Sequence, residues 1–222
     1  MTTAASRFRR IRQHCLEWTM RVLCVSDMVV PQLDGNFDPH RFGQVDLVIS
    51  CGDLPPEYLK FLRGAFNAPL YYVRGNHDIR YGETPVTGCI NLHGRIIRHG
   101  RLKLLGLEGS RWYNGGPAQY TEAQMHRLVW RLRPQIWLKK GVDLIVTHAP
   151  PRFIHDAEDL CHRGFKAYRK LIQWSNPRFF LHGHIHADFS DDAQRSTSLG
   201  HTQIINCFGH YRLEFDDQAS AA

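Results

Sequence analysis

The sequence predicts an α/β fold with a largely parallel central sheet, and three observations support it. Short runs rich in Val, Ile, Leu and Phe recur along the chain, each short enough for a strand. Amphipathic helical stretches fall between them, the alternation that builds parallel sheets. Five of the runs end abruptly in Asp, Asn or His.

The chain opens on a basic segment, SRFRRIRQHCLEWTM, with Arg7, Arg9, Arg10 and Arg12. It reads as an amphipathic helix or basic arm, as a disordered extension, or as a misassigned start upstream of Met20. It has no apolar core of a secretory signal, while its acid-poor, Arg- and Ser-containing start resembles a transit peptide. Residues 1–19 are therefore set apart from a single domain over 20–216, and residues 217–222 are expected to fray. Strands are expected at 21–26 (RVLCVS), 46–50 (DLVIS) and 69–73 (PLYYV). Between the last two, PPEYLKFLRGAF opens on prolines and spaces Tyr58, Leu59, Leu62 and Phe66 as a helix does. Hairpin strands follow at 95–99 and 102–108. The segment 109–120 is punctuated by Gly and Pro as a loop. Thr121 is a candidate N-cap for TEAQMHRLVWRL, which Pro134 is expected to kink or end. A strand at 142–147 (VDLIVT), a helix in FKAYRKLIQW and a strand at 178–182 (RFFLH) come next. Strands at 203–208 and 211–215 close the chain.

Hydrophobic residues make up 43% of 222, enough for one substantial core. No apolar run approaches the ~20 residues that span a bilayer. The net charge of +7 admits an anionic partner, a small phosphorylated substrate first and nucleic acid second. The six cysteines form no CxxC pair, which with no secretory signal favours a reducing compartment, the cytoplasm.

The polar strand endings carry the chemistry. Run 21–26 ends at Asp27, and run 46–50 leads through Gly52 to Asp53. Run 69–73 leads to Gly75, Asn76, His77 and Asp78. Run 142–147 ends at His148, and run 178–182 leads to Gly183, His184 and His186. Ligands of open α/β sheets bind beyond the carboxyl ends of strands, so parallel strands gather these tips at one edge. Glycines 52, 75 and 183 let the backbone turn sharply there. His184 and His186, at alternate positions, share a face if the segment is extended. Two Asp, one Asn and three His form a mixed N/O set suited to Mn, Fe, Zn or Co, with manganese favoured and no thiolate among them.

In their order, these residues resemble the calcineurin-like metallophosphoesterase superfamily, with its signature D-x-H, G-D, G-N-H-[DE], H and G-H-x-H. The resemblance covers about residues 20–187. It implies a four-layer α/β/β/α sandwich and a site for two divalent ions. Asp53 would bridge them, Asn76, His148 and His184 would complete one position, and Asp27 and His186 would belong to the other. His77, steered by Asp78, would contact phosphate and assist the leaving group as an acid. Val29 stands where the signature has histidine, so one metal position is weakened. A prokaryotic subgroup with D-x-V resembles this chain in that respect.

The expected reaction is hydrolysis of a phosphomonoester or diester, with a small diester such as a cyclic nucleotide leading, by a hydroxide generated at the two ions. A catalytically degenerate scaffold, supported by Val29, and a nuclease using the basic arm are the alternatives. His155 and Asp156, in the loop after His148, read as spare ligands or substrate contacts, or as parts of a solvated loop. Arg111, Tyr113 and Asn114 read as substrate contacts or as members of a loop anchored by aromatics. Arg74 and Arg80 flank GNHD and would neutralise phosphate or stay solvated.

Overall fold

The computed structural model describes residues 18–33, 38–79 and 85–216. The basic arm, Arg80 and the tail 217–222 lie outside the described residues. The elements, in order, are β1 (Thr19–Ser26), a 3-10 turn (Pro31–Leu33), α1 (Pro39–Phe42), β2 (Leu47–Ser50), α2 (Pro56–Phe66), β3 (Leu70–Tyr72) and β4 (Ile90–Asn91). β5 (Ile96–His99), β6 (Leu102–Leu107), β7 (Ser110–Arg111), β8 (Gln119–Tyr120) and α3 (Glu122–Leu138) follow. The chain continues through β9 (Leu144–Thr147), α4 (Lys166–Ser175), β10 (Phe179–His182) and a 3-10 turn (Asp192–Arg195), then β11 (Ser196–Leu199), β12 (Thr202–Asn206) and β13 (Gly209–Asp216).

Two large sheets form instead of one central sheet. The first has the order β13-β1-β2-β3-β4 and the second β11-β12-β10-β9-β6-β5. Pairing is parallel at the centre of each, through β1–β2–β3 and through β10 with β9 and β12. It is antiparallel at β1–β13, β11–β12 and the β5–β6 hairpin. Side chains alternate across each strand and thereby divide the core into three. Val22, Cys24, Leu47, Ile49 and Tyr71 face Leu104, Leu144, Val146 and Leu181 between the sheets. Leu23, Val25, Val48 and Tyr72 pack on Tyr58, Leu59 and Leu62 of α2. Ile145, Phe180 and Ile204 pack on Val129 and Leu132 of α3 and on Leu171 of α4. The layers are thus helix, sheet, sheet, helix. This is the four-layer sandwich that the family resemblance implied. Runs of unbroken apolar residues record burial on both faces, but not which partner covers each face, and the apolar pattern alone therefore pointed to one sheet.

Pro134 does not end its helix. α3 continues through it to Leu138, because the missing N–H falls on the exposed side while Leu132 and Ile136 stay buried around it. The N-cap expectation holds: the Thr121 hydroxyl accepts from the Gln124 N–H at 3.2 Å, and the Gln124 side chain accepts from the Thr121 N–H at 2.8 Å. β4, β7 and β8 are two residues each, and β11 reads Ser-Thr-Ser-Leu, so none leaves an apolar run to find. No helix among the described residues is long and apolar enough to cross a membrane.

Candidate metal centre

The carboxyl ends of β1, β2 and β3 in one sheet and of β9 and β10 in the other meet across the sandwich. The Asp27 N–H donates to the Gly52 carbonyl at 3.1 Å, and the Gly183 N–H donates to the His148 carbonyl at 3.0 Å. Two bonds cross between the sheets: His184 N–H to Asp27 Oδ2 at 2.9 Å, and His148 Nδ1 to the Cys51 carbonyl at 2.8 Å. Asp27, Asp53 and His184 all have positive φ, at 64°, 56° and 67°. Three ligand candidates thus sit in a region that side-chain-bearing residues seldom occupy, a strain typical of functional sites. Gly75 and Gly183 serve close approach rather than the sharp turn expected of them, since neither has positive φ. A Cβ on Gly75 would overlap the Asp53 carboxylate, and one on Gly183 would overlap Ser26 and the Asp27 carboxylate.

His148 organises the first half of the centre. A carbonyl can only accept, so the Nδ1 facing Cys51 carries the proton. Nε2 then points its lone pair at Asn76 Oδ1, 3.1 Å away, and at Asp53 Oδ2, 3.2 Å away. The Asn76 amide is oriented by its Nδ2, which donates to the Tyr113 hydroxyl at 3.2 Å. Three acceptors converge there in a buried place and repel one another unless a proton or a cation stands between them. In the ion-free protein the proton takes that place. Burial alone would lower the His148 pKa, yet the Asp53 charge and hydrogen bond raise it to about 9. Burial likewise opposes the Asp53 charge, but His148 and the His77 N–H bring Asp53 down to about 2. Ring or carboxylate donor atoms of Asp53, His148 and His184 all lie within 4.8 Å of one another.

Asp27 and His186 form the second half. Asp27 Oδ1 is buried without a hydrogen-bond partner, and His186 Nε2 lies 3.4 Å from it, an ion-pair separation. A buried carboxylate oxygen that lacks a hydrogen bond is costly and fits a cation beside it. His186 is exposed and stacks on Phe208 with centroids 4.8 Å apart. The expectation that His184 and His186 share one face of an extended segment is corrected. The positive φ of His184 breaks the extension, leaving His184 buried and His186 exposed. Val29 is exposed, with 37% of its surface accessible, and brings no donor.

His77 is exposed at the rim, with its N–H bound to Asp53 Oδ1 at 2.8 Å. Asp78 does not steer it. The Asp78 carboxylate accepts from the N–H groups of Gly75 (2.7 Å), Asp53 (2.9 Å) and Leu54 (3.1 Å), tying two ligand loops together. Among the described residues no hydrogen bond joins it to the His77 ring. Burial raises its pKa to about 6. Asp78→Ala strands three backbone donors, and the expected destabilisation is about 3 kcal/mol or more, read as a lowered denaturant midpoint at unchanged m.

Several expected contacts sit elsewhere. Both His155 ring nitrogens are engaged, Nδ1 with His182 Nε2 at 2.9 Å and Nε2 with the Thr197 hydroxyl at 2.8 Å. Its partners are thus His182 and Thr197, and no donor of the Asp53–Asn76–His148 group is among them. Asp156 is held by Arg152 at 2.7 Å and by the N–H groups of Phe153 and Gly164. Arg111 pairs with Glu122 at 2.6 Å, Asn114 bonds Gln119 at 2.6 Å within its loop, and Arg74 forks onto Glu108 at 2.8 and 3.0 Å. Of the candidate substrate contacts, Tyr113 reaches the centre. His182, the first histidine of HGHIH, was missed as a partner of His155. Nothing in its apolar run marks it apart from the two histidines that follow.

A two-sheet sandwich with this donor set at its strand tips defines a metallophosphoesterase-type fold. The chain belongs to the calcineurin-like phosphoesterase family, whose model matches residues 20–188. It is 23% identical to the Homo sapiens protein "Metallophosphoesterase domain-containing protein 1", aligned over 83% of this chain and 66% of that relative's length. Its fold is similar to the crystal structure of TT1561 of Thermus thermophilus, with a TM-score of 0.60 and 16% identity, covering 90% of this chain and 99% of that one. It is also similar to a 5'-nucleotidase-designated structure from Staphylococcus aureus, with a TM-score of 0.53 and 13% identity, covering 89% of this chain and 51% of that one.

Proposed function

We propose that this chain hydrolyses a small phosphoester, mono- or diester, at a centre for two divalent ions, one position of which is weakened by Val29. The observation that carries the reading is the convergence of His148 Nε2, Asn76 Oδ1 and Asp53 Oδ2 on one buried point. Asp53, Asn76, His148 and His184 would hold one ion, and Asp27, Asp53 and His186 the other. Bound there, divalent ions supply a nucleophile from water at neutral pH and draw charge from the phosphoryl oxygens.

The chain's own groups do the rest. The His148 and His184 rings are fixed by bonds from their outer nitrogens to the Cys51 and Cys161 carbonyls, which set tautomer and direction. Asp78 clamps the Asp53 and Gly75 loops so that the donors stay in register. The exposed His77 ring N–H gives its proton to the leaving-group oxygen. The Tyr113 hydroxyl, already at Asn76, donates to a phosphoryl oxygen.

A panel of phosphomonoesters and diesters tests this, with protein stripped by chelator and reloaded with Mn²⁺, Fe²⁺, Zn²⁺ or Co²⁺. Turnover of at least one ester is expected only after reloading. Equal turnover in excess chelator, or none with any of the four ions, rejects the reading.

A further inference from the structure

A second group of donors touches the same histidine from outside the family set. The Cys161 sulfur, a His162 ring nitrogen and a His184 ring nitrogen lie within 4.8 Å of one another. We infer that the loop from Pro151 to Gly164 delivers Cys161 as a sulfur ligand, with His162 as an adjoining nitrogen donor, to an ion held at His184. The inference rests on the two-ion reading above and deepens it. A centre with a thiolate at hand selects zinc, cobalt or ferrous iron over manganese and magnesium.

The arrangement is that of a prepared site. His162 Nδ1 faces both oxygens of Asp159 at 3.0 Å. A carboxylate accepts, so Nδ1 carries the proton and Nε2 keeps a lone pair. This carboxylate–imidazole pairing is common behind metal-bound histidines. His184 Nε2 faces the Cys161 carbonyl at 2.9 Å and must donate to it, leaving Nδ1 as its lone-pair nitrogen. The His162 and His184 rings approach to 5.1 Å between centroids. The Cys161 thiol is a near neighbour of Tyr113, whose hydroxyl accepts from the Asn76 amide at 3.2 Å. The sulfur therefore stands at the same mouth as the Asp53–Asn76–His148 donors.

The loop is held in this shape. Arg152 grips Asp156 at 2.7 Å and Glu158 at 2.8 Å. The N–H groups of Cys161 and His162 both donate to Asp159 at 3.0 Å, and Arg163 donates to the Glu158 carbonyl at 2.6 Å. Zinc bonds of about 2.3 Å to sulfur and about 2.0 Å to nitrogen set tetrahedral donors roughly 3.5 Å apart. Donors within 4.8 Å of one another therefore draw together by up to about 1.3 Å on ligation. On ligation the S–H bond breaks, the metal–sulfur bond forms, and the proton leaves to solvent.

Cobalt substitution tests this without turnover. The full chain is stripped by chelator and loaded with Co²⁺, and its absorption is recorded with the cobalt content. The wild type is expected to show a thiolate-to-cobalt charge-transfer band in the near ultraviolet beside the visible d–d bands. Cys161→Ser is expected to lose the near-ultraviolet band while keeping cobalt and the d–d bands, and Cys89→Ser to keep both. His162→Ala is expected to weaken cobalt binding about 10–100-fold. Bound cobalt without the charge-transfer band, or a band that survives Cys161→Ser, overturns the sulfur ligand. An unchanged affinity in His162→Ala overturns the nitrogen donor. A wild type that binds no cobalt fails the two-ion reading itself, so the two failures are told apart.

Discussion

Asp53→Asn is expected to lower kcat/KM toward an active phosphoester by ~10³-fold or more, the scale on which losing one aimed charge slows a reaction, while the fold persists. The substitution is nearly isosteric. An amide oxygen still accepts the His77 N–H now held at 2.8 Å, and the loop bond from the Asp53 N–H to Asp78 is untouched. What disappears is the negative charge paired with His148 and proposed to be shared by two ions. Because that carboxylate is largely withdrawn from water, burial opposes its charge, and removing it relieves desolvation as well as losing the His148 pair. The melting temperature of the ion-free protein is therefore expected to move by only a few degrees. Steady-state kinetics and metal content on the same preparation decide the matter. A loss under tenfold with full metal content would remove Asp53 from its bridging role.

The sequence made the strand tips legible and left the loops dark, for a physical reason. A tip residue such as Asp27 or His148 is announced by the apolar run before it, since burial on both faces makes that run unmistakable. The same runs located α2 and the β5–β6 hairpin to within a residue or two. A loop side chain such as Asp156 or Arg111 takes its partner from another stretch of chain, here Arg152 and Glu122, and no local pattern encodes that choice. Asp78 shows the difference within one motif. GNHD marks it as functional, yet its three backbone acceptances make it the clamp between ligand loops rather than the partner of His77. The cluster of His155, Asp156, Glu158, Asp159 and His162 after His148 marked this loop as a source of a spare ligand, with His155 and Asp156 first, but the nearness of Cys161 and His162 to His184 depends on how the loop closes. The division into two sheets came from the family resemblance and not from the apolar pattern, since Cys24 and Leu23 are equally apolar although one faces the second sheet and the other α2.

The His148 proton alone is expected to make ion affinity rise about tenfold per pH unit between roughly pH 6.5 and 9, a change on the order of 10² across that window, and ligation by the Cys161 thiol adds to that slope. In the ion-free protein His148 holds a proton on Nε2, with a pKa raised to about 9 despite burial, chiefly by Asp53. An ion must displace that proton, so at pH 7 binding at this position releases one proton from His148 and a second when the Cys161 thiol also ligates. His184 adds no slope in this window, because burial and the nearby His148 hold it neutral, with its pKa lowered to about 4. The stability of the ion-free protein runs the opposite way. A histidine whose folded pKa lies above the unfolded value of about 6.5 contributes fully below that value and loses its contribution as pH rises through about 9. Its partner Asp53 contributes above the unfolded value of about 3.8 and loses its contribution as pH falls toward about 2. Alkaline solution thus loosens the empty centre and tightens the loaded one. Calorimetric titration in buffers of different ionisation enthalpy reads the released proton directly, and repetition across pH reads the slope. Asp53→Asn should flatten the slope above pH 6.5, because without the carboxylate the His148 proton is lost to burial before any ion arrives. A slope that survives Asp53→Asn unchanged would assign the proton to another group and dissolve the His148–Asp53 coupling.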